Sequence, residues 1–156
     1  MTRVAVIADT HRSFRWLPLA AERLGKVDLL FHLGDFCADA ETVAEKLGGV
    51  PYRTVRGNND VYSAEPRLRV ERVEDASIML VHGDEFYNTY HLAMRAEENH
   101  CGAVLFGHTH IPLLQASGDI LLINPGSLSL PRRGSKPSCA LLEVEGKDIN
   151  VTMISL

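Results

Sequence analysis

The sequence contains no apolar stretch long enough to cross a membrane. A spanning helix needs about 20 apolar residues in succession, and no run within the 156 residues approaches that length. The N-terminus has an uninterrupted run of only five apolar residues before Asp9, fewer than the roughly 7–15 that a secretion signal requires. We therefore predict a cytoplasmic protein without a membrane segment, built as a single domain over residues 1–156.

Cysteine is also scarce, and basic residues are fewer than acidic ones. Cys37, Cys101 and Cys139 are odd in number and far apart, which predicts neither a disulfide framework nor a cysteine-rich zinc site. The formal net charge is -4, so a basic surface that grips nucleic acid through its phosphates is not expected. A small phosphoester or a nucleotide remains open as a substrate, and homo-oligomerisation stays open as well.

Motifs of three other protein classes are missing. The sequence Asp9-Thr10-His11 stands where a dinucleotide-binding domain would have Gly-x-Gly-x-x-Gly after its first strand. Neither a Walker phosphate loop nor a Gly-x-Ser-x-Gly elbow for a serine nucleophile is present. These absences exclude the corresponding classes, although the chain begins with a β-α-β pattern.

Apolar runs and amphipathic segments predict an α/β fold. The predicted helices are Phe14–Leu24, Asp39–Leu47, with Asp39 as a possible N-cap, and Thr89–His100. The predicted strands are Arg3–Ala8, Val27–Leu33, Tyr52–Arg56, Arg67–Glu74, Ser77–Val81, Ala103–Phe106, Pro112–Ala116 and Ile120–Ile123, then a hairpin of Cys139–Val144 and Ile149–Ile154. The alternating start calls for parallel strands. The later strand-rich half indicates a second sheet, which gives a two-sheet sandwich with helices outside.

Polar groups that can bind metal or phosphate directly follow six of these strands. They are Asp9-Thr10-His11, Gly34-Asp35, Gly57-Asn58-Asn59-Asp60, His82-Gly83-Asp84, Gly107-His108-Thr109-His110 and Asn124-Pro125-Gly126-Ser127. Ligands of open α/β sheets bind outside the carboxyl ends of the strands. Most of these motifs, taken singly, are typical of turns or helix caps, and Asn124 and Ser127 can serve only to shape a turn. The ordered series, however, indicates one shared site.

The residue types in the series favour a centre with two metal ions. The candidate ligands are too many for one tetrahedral ion: Asp9, His11, Asp35, Asn58, His82, His108 and His110. Imidazole and carboxylate suit Mn, Fe, Zn, Ni or Co, and Asp35 could bridge two ions through both oxygens. Such ions would hold a bridging water and lower its pKa, and the resulting hydroxide would attack phosphorus in line.

The order Asp-x-His, Gly-Asp, Gly-Asn, His and Gly-His-x-His resembles the calcineurin-like metallophosphoesterase family, in particular its small single-domain bacterial and archaeal phosphodiesterases. The resemblance covers nearly the whole chain and implies a four-layer α-β-β-α sandwich. It also implies that one ion is held by Asp9, His11, Asp35 and His110, and the other by Asp35, Asn58, His82 and His108. Similar proteins often work with manganese, and other divalent ions can substitute.

One position departs from the family pattern. Most catalytic members have a histidine directly after the metal-binding asparagine, where it assists the leaving group, but this chain has Asn59. Asp60 matches the acidic residue that usually follows, and Asp84 stands where a second histidine is frequent. Asn59, Asp60 and Asp84 are therefore candidates for roles beside the metals or on the leaving-group side, with a turn residue as the alternative for Asp84. The proton donor stays open among a metal-bound water, Asp84 and the substrate.

Several basic residues have a functional and a structural interpretation. Arg12 and Arg132, with Arg133 beside it, are candidates for phosphate or substrate contacts, and solvated surface cations are the alternative. His32 is predicted to pack inside its strand and not to bind metal, whereas His91 and His100 are predicted to be surface or helix-end residues of the third helix.

We predict a metal-dependent phosphoesterase, and a phosphodiesterase in particular. The alternative is a metal-binding protein scaffold of the same fold with weak or absent catalysis, like the subunit of the eukaryotic retromer coat. The missing histidine after Asn58 keeps that alternative open, and the complete ligand series favours the enzyme.

Overall fold

The computed structural model describes residues 1–156. Its helices are α1 (Leu17–Leu24), α2 (Asp39–Lys46) and α3 (Thr89–Glu98), and its strands are β1 (Thr2–Ile7), β2 (Leu29–His32), β3 (Tyr52–Thr54), β4 (Leu68–Val73), β5 (Ala76–Val81), β6 (Ala103–Leu105), β7 (Leu113–Ser117), β8 (Ile120–Asn124), β9 (Ser138–Glu145) and β10 (Asp148–Ser155).

Every predicted helix and strand is present, with shifted ends. Helix α1 begins at Leu17 and not at Phe14, with Pro18 in its first turn, where the fixed φ of proline suits a helix start. Helix α3 ends at Glu98, before the predicted end at His100, because His100 has a left-handed φ of 57°. Helix α3 is capped by Asn88, whose side chain accepts a hydrogen bond from the backbone N–H of His91.

The strands form two five-stranded sheets, ordered β10-β9-β1-β2-β3 and β4-β5-β6-β8-β7. In the first sheet β1 and β2 are parallel, as are β2 and β3. In the second sheet β5, β6 and β8 are parallel. The carboxyl ends of the parallel strands therefore gather at one edge of each sheet, which is where the candidate ligands follow in the sequence.

Side chains that alternate along the strands create three apolar layers. Val4 and Val6 of β1 face the second sheet and join a core that contains Phe31, Ile78 and Leu105, whereas intervening residues pack against α1 and α2. Helix α3 packs on the outer face of the second sheet. This period-two alternation gives helices, sheet, sheet and helix in succession, so the four-layer α-β-β-α sandwich is confirmed.

None of the three helices has the length and apolar character that a membrane-spanning helix needs.

Candidate metal centre

Five strand ends bring the candidate ligands to one edge of the sandwich. Asp9 and His11 follow β1, Asp35 follows β2, Asn58 follows β3, His82 follows β5, and His108 and His110 follow β6. Both sheets contribute, so the centre lies across the seam between them. Asp9, Asp35, His82 and His110 are buried, whereas Asn58 is exposed.

One group of ligand atoms consists of Asp9, His11 and His110. Its atoms lie within 4.8 Å of one another. The Nε2 atoms of His11 and His110 are 3.3 Å apart, and His110 Nε2 is 3.4 Å from Asp9 Oδ1. These residues belong to the first of the two ligand sets that the family resemblance implies.

A second group consists of Asp9, Asp35 and His82. His82 Nε2 lies 3.4 Å from Asp35 Oδ1 and 3.8 Å from Asp9 Oδ1. His11 Nε2 also lies 3.6 Å from Asp35 Oδ2. Both carboxylates therefore stand between the histidines, and Asp9 is shared by the two groups, whereas the resemblance implies sharing only by Asp35.

His108 and Asn58 lie outside these two groups. The His108 ring packs edge-on against His82, with ring centroids 5.2 Å apart. Its backbone N–H donates a hydrogen bond of 2.9 Å to Asp9 Oδ2. Asn58 is exposed, in the loop that follows β3. The structure therefore brings five of the seven candidate ligands into the two groups, with the His108 ring against His82 and Asn58 in the loop after β3.

Two buried atoms of the centre have no hydrogen-bond partner, namely Asp9 Oδ1 and His82 Nε2. An unpaired buried polar atom costs about 1–3 kcal/mol, and such atoms are uncommon in native interiors unless an ion or water satisfies them. A carboxylate oxygen and an imidazole nitrogen are ordinary ligands of divalent transition metals. The residues present therefore fit a bound metal ion.

The ionisable groups perturb one another strongly. Burial opposes the charge of His82, but attraction to the Asp35 carboxylate, 3.4 Å from Nε2, and to Asp9 prevails and raises its pKa to about 9. Burial likewise opposes the Asp35 charge, and the His82 contact outweighs it, so the Asp35 pKa lies well below its usual range. Burial is also offset at His110, where Asp9 raises the pKa, whereas burial lowers the pKa of His11.

Two backbone carbonyls orient the histidine rings. His82 Nδ1 donates to the carbonyl of Leu33 at 2.7 Å, and His110 Nδ1 donates to the carbonyl of Leu130 at 2.6 Å. A carbonyl oxygen only accepts, so Nδ1 keeps its proton and Nε2 is the atom left to bind metal in the neutral ring. Contacts of this kind fix the tautomer of metal-binding histidines.

Asn59 contacts a ligand directly. Its backbone N–H donates to Asp35 Oδ1 at 3.1 Å, and its side-chain amide donates to Asp35 Oδ2 at 2.8 Å. Both oxygens of Asp35 are thereby held in place, which is a positioning role and differs from proton donation.

The other two acidic candidates are engaged elsewhere. Asp60 is buried and accepts hydrogen bonds from the backbone N–H groups of Cys37 and Gly57, at 2.7 and 2.9 Å. Asp84 Oδ2 lies 3.3 Å from the guanidinium of Arg67. Asp60 therefore shapes the loop that carries Asn58, and Asp84 is paired with a cation.

The candidate substrate arginines are exposed at the same edge. The Arg12 guanidinium lies 4.7 Å from the centre of the Phe36 ring. Arg132 donates its backbone N–H to the carbonyl of His110 at 3.1 Å, and its side chain is exposed, as is that of Arg133. Arg12 is therefore a cation held on an aromatic face beside the centre.

A buried chain of hydrogen bonds beneath the first ligand loop escaped sequence analysis. His32 Nδ1 accepts from the backbone N–H of Gly34 at 3.3 Å, so its proton is on Nε2, which donates to Thr10 Oγ1 at 3.0 Å. Thr10 in turn donates to Asp39 Oδ2 at 2.6 Å, and Asp39 Oδ2 also accepts from the backbone N–H of Arg12 at 2.8 Å. Asp39 is therefore not the N-cap of α2, because Ala38 holds that position. The position of Thr10 between Asp9 and His11 was the signal that could have revealed this chain.

The last residue of β8 and the residues that follow this strand hold the ligand loops after β1 and β6 by hydrogen bonds. Ser127 donates its hydroxyl proton to the carbonyl of Asp9 at 2.8 Å, and Ser129 donates its own to the carbonyl of Thr10 at 2.7 Å. Asn124 donates to the carbonyl of Gly107 at 3.2 Å and accepts from Gly126 at 2.9 Å. Asn124 and Ser127 therefore do more than shape a turn, because they join the ligand loops after β6 and β1 to the second sheet.

A four-layer sandwich that carries carboxylates and histidines across the seam of its sheets defines a metal-binding α/β protein. The model of the calcineurin-like phosphoesterase superfamily domain matches residues 2–147, and the chain belongs to this family. A protein named probable metallophosphoesterase from Methanocaldococcus jannaschii is 34% identical over 150 residues, covering 92% of this chain and 77% of that protein.

Two further similarities extend the comparison. The phosphodiesterase YfcE of Escherichia coli K12 is 31% identical over 111 residues, covering 65% of this chain and 58% of that protein. The zinc complex of Vps29 from Entamoeba histolytica has a TM-score of 0.78 at 20% identity, covering 98% of each chain. The second similarity concerns the fold alone. The family match and the metallophosphoesterase and phosphodiesterase relatives support a hydrolase of the phosphoesterase superfamily.

Proposed function

We propose that this chain hydrolyses phosphate esters with two bound divalent metal ions, and that small or nucleotide-type phosphodiesters are its substrates. The family is metal-dependent, and a relative that is 31% identical is named a phosphodiesterase. We expect it to act in the cytoplasm.

The observation that carries the proposal is the pair of unpartnered buried atoms, Asp9 Oδ1 and His82 Nε2. They lie 3.8 Å apart inside a cluster of carboxylates and imidazoles. A merely structural cluster would satisfy both atoms internally, since each unpaired buried group lowers stability. A divalent ion would accept both as ligands.

The donor set supports the assignment of ligands. Asp9, His11, Asp35 and His110 would hold one ion, and Asp35, Asn58, His82 and His108 the other. Mixed carboxylate and imidazole donors suit manganese, zinc, iron, nickel or cobalt, and the family resemblance favours manganese among them. When bound, the ions would lower the pKa of a water molecule and offset the negative charge that develops on the phosphoryl group.

The chain's own residues position the reacting groups. Asn59 holds both oxygens of Asp35, and the carbonyls of Leu33 and Leu130 keep the histidine rings turned toward the carboxylates. Arg12 is exposed beside this cluster and can bind a phosphate oxygen, since a guanidinium matches phosphate geometry.

Leaving-group protonation is the weak part of the site. Asn59 stands at the usual histidine position, and its amide cannot supply a proton near neutral pH. Asp60 is buried and accepts hydrogen bonds from two backbone N–H groups, and Asp84 is paired with Arg67. We therefore expect aryl diesters to be cleaved much faster than alkyl diesters, and Asn59→His to narrow that difference.

The experiment is metal-reconstituted turnover on a panel of monoesters and diesters. With Mn²⁺, Asp35→Asn and His82→Ala are expected to lower kcat/KM by about 100-fold or more, because metal ligation supplies several kcal/mol of stabilisation. His91→Ala is the matched control, since this histidine is exposed on α3 and should leave turnover unchanged. Equal loss in His91→Ala, or full activity in His82→Ala, would contradict the proposal.

The second candidate is a metal-binding scaffold with weak or absent catalysis. It is favoured by one observation, namely that position 59 holds an asparagine, which cannot give a proton to the leaving group. Two ions bound by the wild-type protein, measured by calorimetry, together with no turnover on any ester of the panel would favour the scaffold over the enzyme.

A further inference from the structure

A cavity of about 500 Å³ lies next to the metal centre. Arg12 and Asn59 line it, and both link it to the centre, since Arg12 directly follows the candidate ligand His11 and Asn59 contacts Asp35. Small-molecule pockets in proteins measure about 300–1,000 Å³, so this cavity has room for a substituent larger than a phosphate group.

Aromatic side chains form part of the cavity wall. Phe36 is fixed between two groups of the centre, because its ring stands edge-on to His11 at 5.3 Å and lies under Arg12. Tyr62, from the loop after β3, lines the same cavity with its side chain fully exposed. An exposed tyrosine ring beside an active site offers a face on which a planar group can stack.

Among the charged side chains that line the cavity, only the cation Arg12 and the carboxylate Glu41 have no ion-pair or buried hydrogen-bond partner. Glu65 is paired with Arg69 at 2.7 Å, and Asp60 is buried in hydrogen bonds to backbone N–H groups. Arg12 makes no ion pair, and Glu41 makes none either. The cation lies beside the ligand loop after β1, where a phosphate would meet it.

We propose that this cavity receives the nucleoside of a nucleoside phosphodiester, with its base stacked on Tyr62 and its phosphate contacted by Arg12. The proposal rests on the phosphoesterase function above and names the substrate class of that same site. Glu41 would accept a hydrogen bond from a hydroxyl or N–H group of the nucleoside. Half of the fourteen lining residues are polar or charged, which suits a nucleoside and disfavours a lipid chain.

The test compares two esters that share one leaving group. Thymidine 5′-(p-nitrophenyl) phosphate and methyl p-nitrophenyl phosphate release the same p-nitrophenolate, so their kcat/KM ratio reports only the other substituent. Loss of base stacking on an aromatic side chain weakens binding by about tenfold. Tyr62→Ala should therefore raise KM for the thymidine ester by about tenfold, leave its kcat within about twofold, and leave the methyl ester unchanged.

Two variants separate stacking from general effects. Tyr62→Phe retains the aromatic ring and should keep the wild-type ratio of kcat/KM between the thymidine ester and the methyl ester. Tyr87→Ala removes another exposed tyrosine, one that does not line this cavity, and should keep the wild-type ratio. An equal effect of Tyr62→Ala on both esters, or no effect on either, overturns the nucleoside pocket while the phosphoesterase function stands.

Absence of turnover on both esters by the wild-type protein would instead overturn the proposed function. Calorimetric titration with thymidine 5′-monophosphate then tests the cavity alone. Binding that Tyr62→Ala weakens and Tyr87→Ala does not would support the pocket. Binding that neither variant changes, or no binding by the wild type, would overturn it.

Discussion

The two ends of the sandwich differ in the residues that adopt left-handed backbone. At the end opposite the metal centre, positive φ is found mainly in glycines of the connecting turns: Gly25, Gly48, Gly49, Gly118 and Gly146. At the metal end the candidate ligands themselves adopt it: Asp9 (54°), His11 (46°), Asp35 (54°), His108 (71°) and His110 (61°). The distant turns thus rely mainly on the residue for which this conformation is easy, whereas at the metal end the candidate ligands adopt it as well as Gly34, Gly83 and Gly126.

The difference shows where the fold gives up stability for a site. A left-handed residue other than glycine costs about 1–2 kcal/mol, and it persists only where surrounding contacts hold it. Asp9 is held in this way by the hydroxyl of Ser127 on its carbonyl, and the next residue by the hydroxyl of Ser129 on the carbonyl of Thr10. The metal end is therefore built from specific contacts between distant segments, and we expect it to be far more sensitive to substitution than the opposite end.

The largest expected effect is that of Gly57→Ala. A Cβ at Gly57 would collide with the Asp35 carboxylate and come within 2.7 Å of the Asp35 backbone nitrogen and 2.9 Å of His82 Cγ. Displacing both ligands should weaken Mn²⁺ binding by about 100-fold and lower the free energy of unfolding by about 1–3 kcal/mol, as measured by calorimetric titration and urea unfolding.

The matched control for Gly57→Ala is Gly102→Ala at the opposite end, where a Cβ would meet nothing within 4 Å. Its free energy of unfolding should stay within about 0.5 kcal/mol of the wild type, and Mn²⁺ affinity should not change. Similar losses in both variants would show that the two ends do not differ in the way proposed.

The next effect concerns the buried support under the first ligand loop. His32→Leu keeps the volume but removes the proton that Nε2 donates to Thr10. Loss of such support costs about 10–100-fold in metal affinity, and we expect a loss in this range, with an altered absorption spectrum of the Co²⁺-substituted protein. His32→Gln retains a donor and should recover part of the affinity. A leucine variant that binds Co²⁺ like the wild type would contradict the positioning role.

The stability of the metal-free protein and its affinity for metal should depend on pH in opposite directions, and His82 is the cause of both. Burial lowers the pKa of His82, but Asp35 and Asp9 outweigh burial and raise it from 6.5 to about 9. In the metal-free protein this proton stabilises the fold fully below pH 6.5, and the contribution disappears as pH rises through about 9. Metal binding must displace the same proton, so affinity should rise by about tenfold per pH unit between pH 6.5 and 8.5. Calorimetry in buffers of different ionisation enthalpy would measure the released proton, and a flat affinity would contradict it.

Sequence reasoning could predict that the candidate ligands lie close together, because they directly follow apolar runs. The order from Asp9 to His110 in the chain becomes convergence in space once the strands are parallel, and strand ends are readable from sequence. The layers were predictable for a related reason, since the alternation of Val4, Ala5, Val6 and Ile7 separates two apolar faces.

The support of the site could not be predicted in the same way. The carbonyls of Leu33 and Leu130 orient two ligands, but every residue has a carbonyl and no side chain marks these two. The pairing of Asp84 with Arg67 joins residues on opposite sides of a hairpin, and the sharing of Asp9 between both groups depends on how the sheets face each other. Such features arise from tertiary geometry, which residue type alone does not encode.

The smallest expected effect lies at the opposite end, at one of its exceptions. His100 is exposed, follows α3 with a φ of 57°, and donates its backbone N–H to the carbonyl of Glu97 at 3.0 Å. Glycine is the favoured residue just after a helix for this conformation, so His100→Gly should raise the free energy of unfolding by about 0.5–1 kcal/mol. His100→Ala loses the same imidazole but keeps the left-handed penalty, and thermal unfolding should show no gain. Equal free energies of unfolding of the two variants would mean that His100 is not under backbone strain. A gain only in His100→Gly, with unchanged Mn²⁺ affinity, would show that strain at this end can be removed without affecting the metal site.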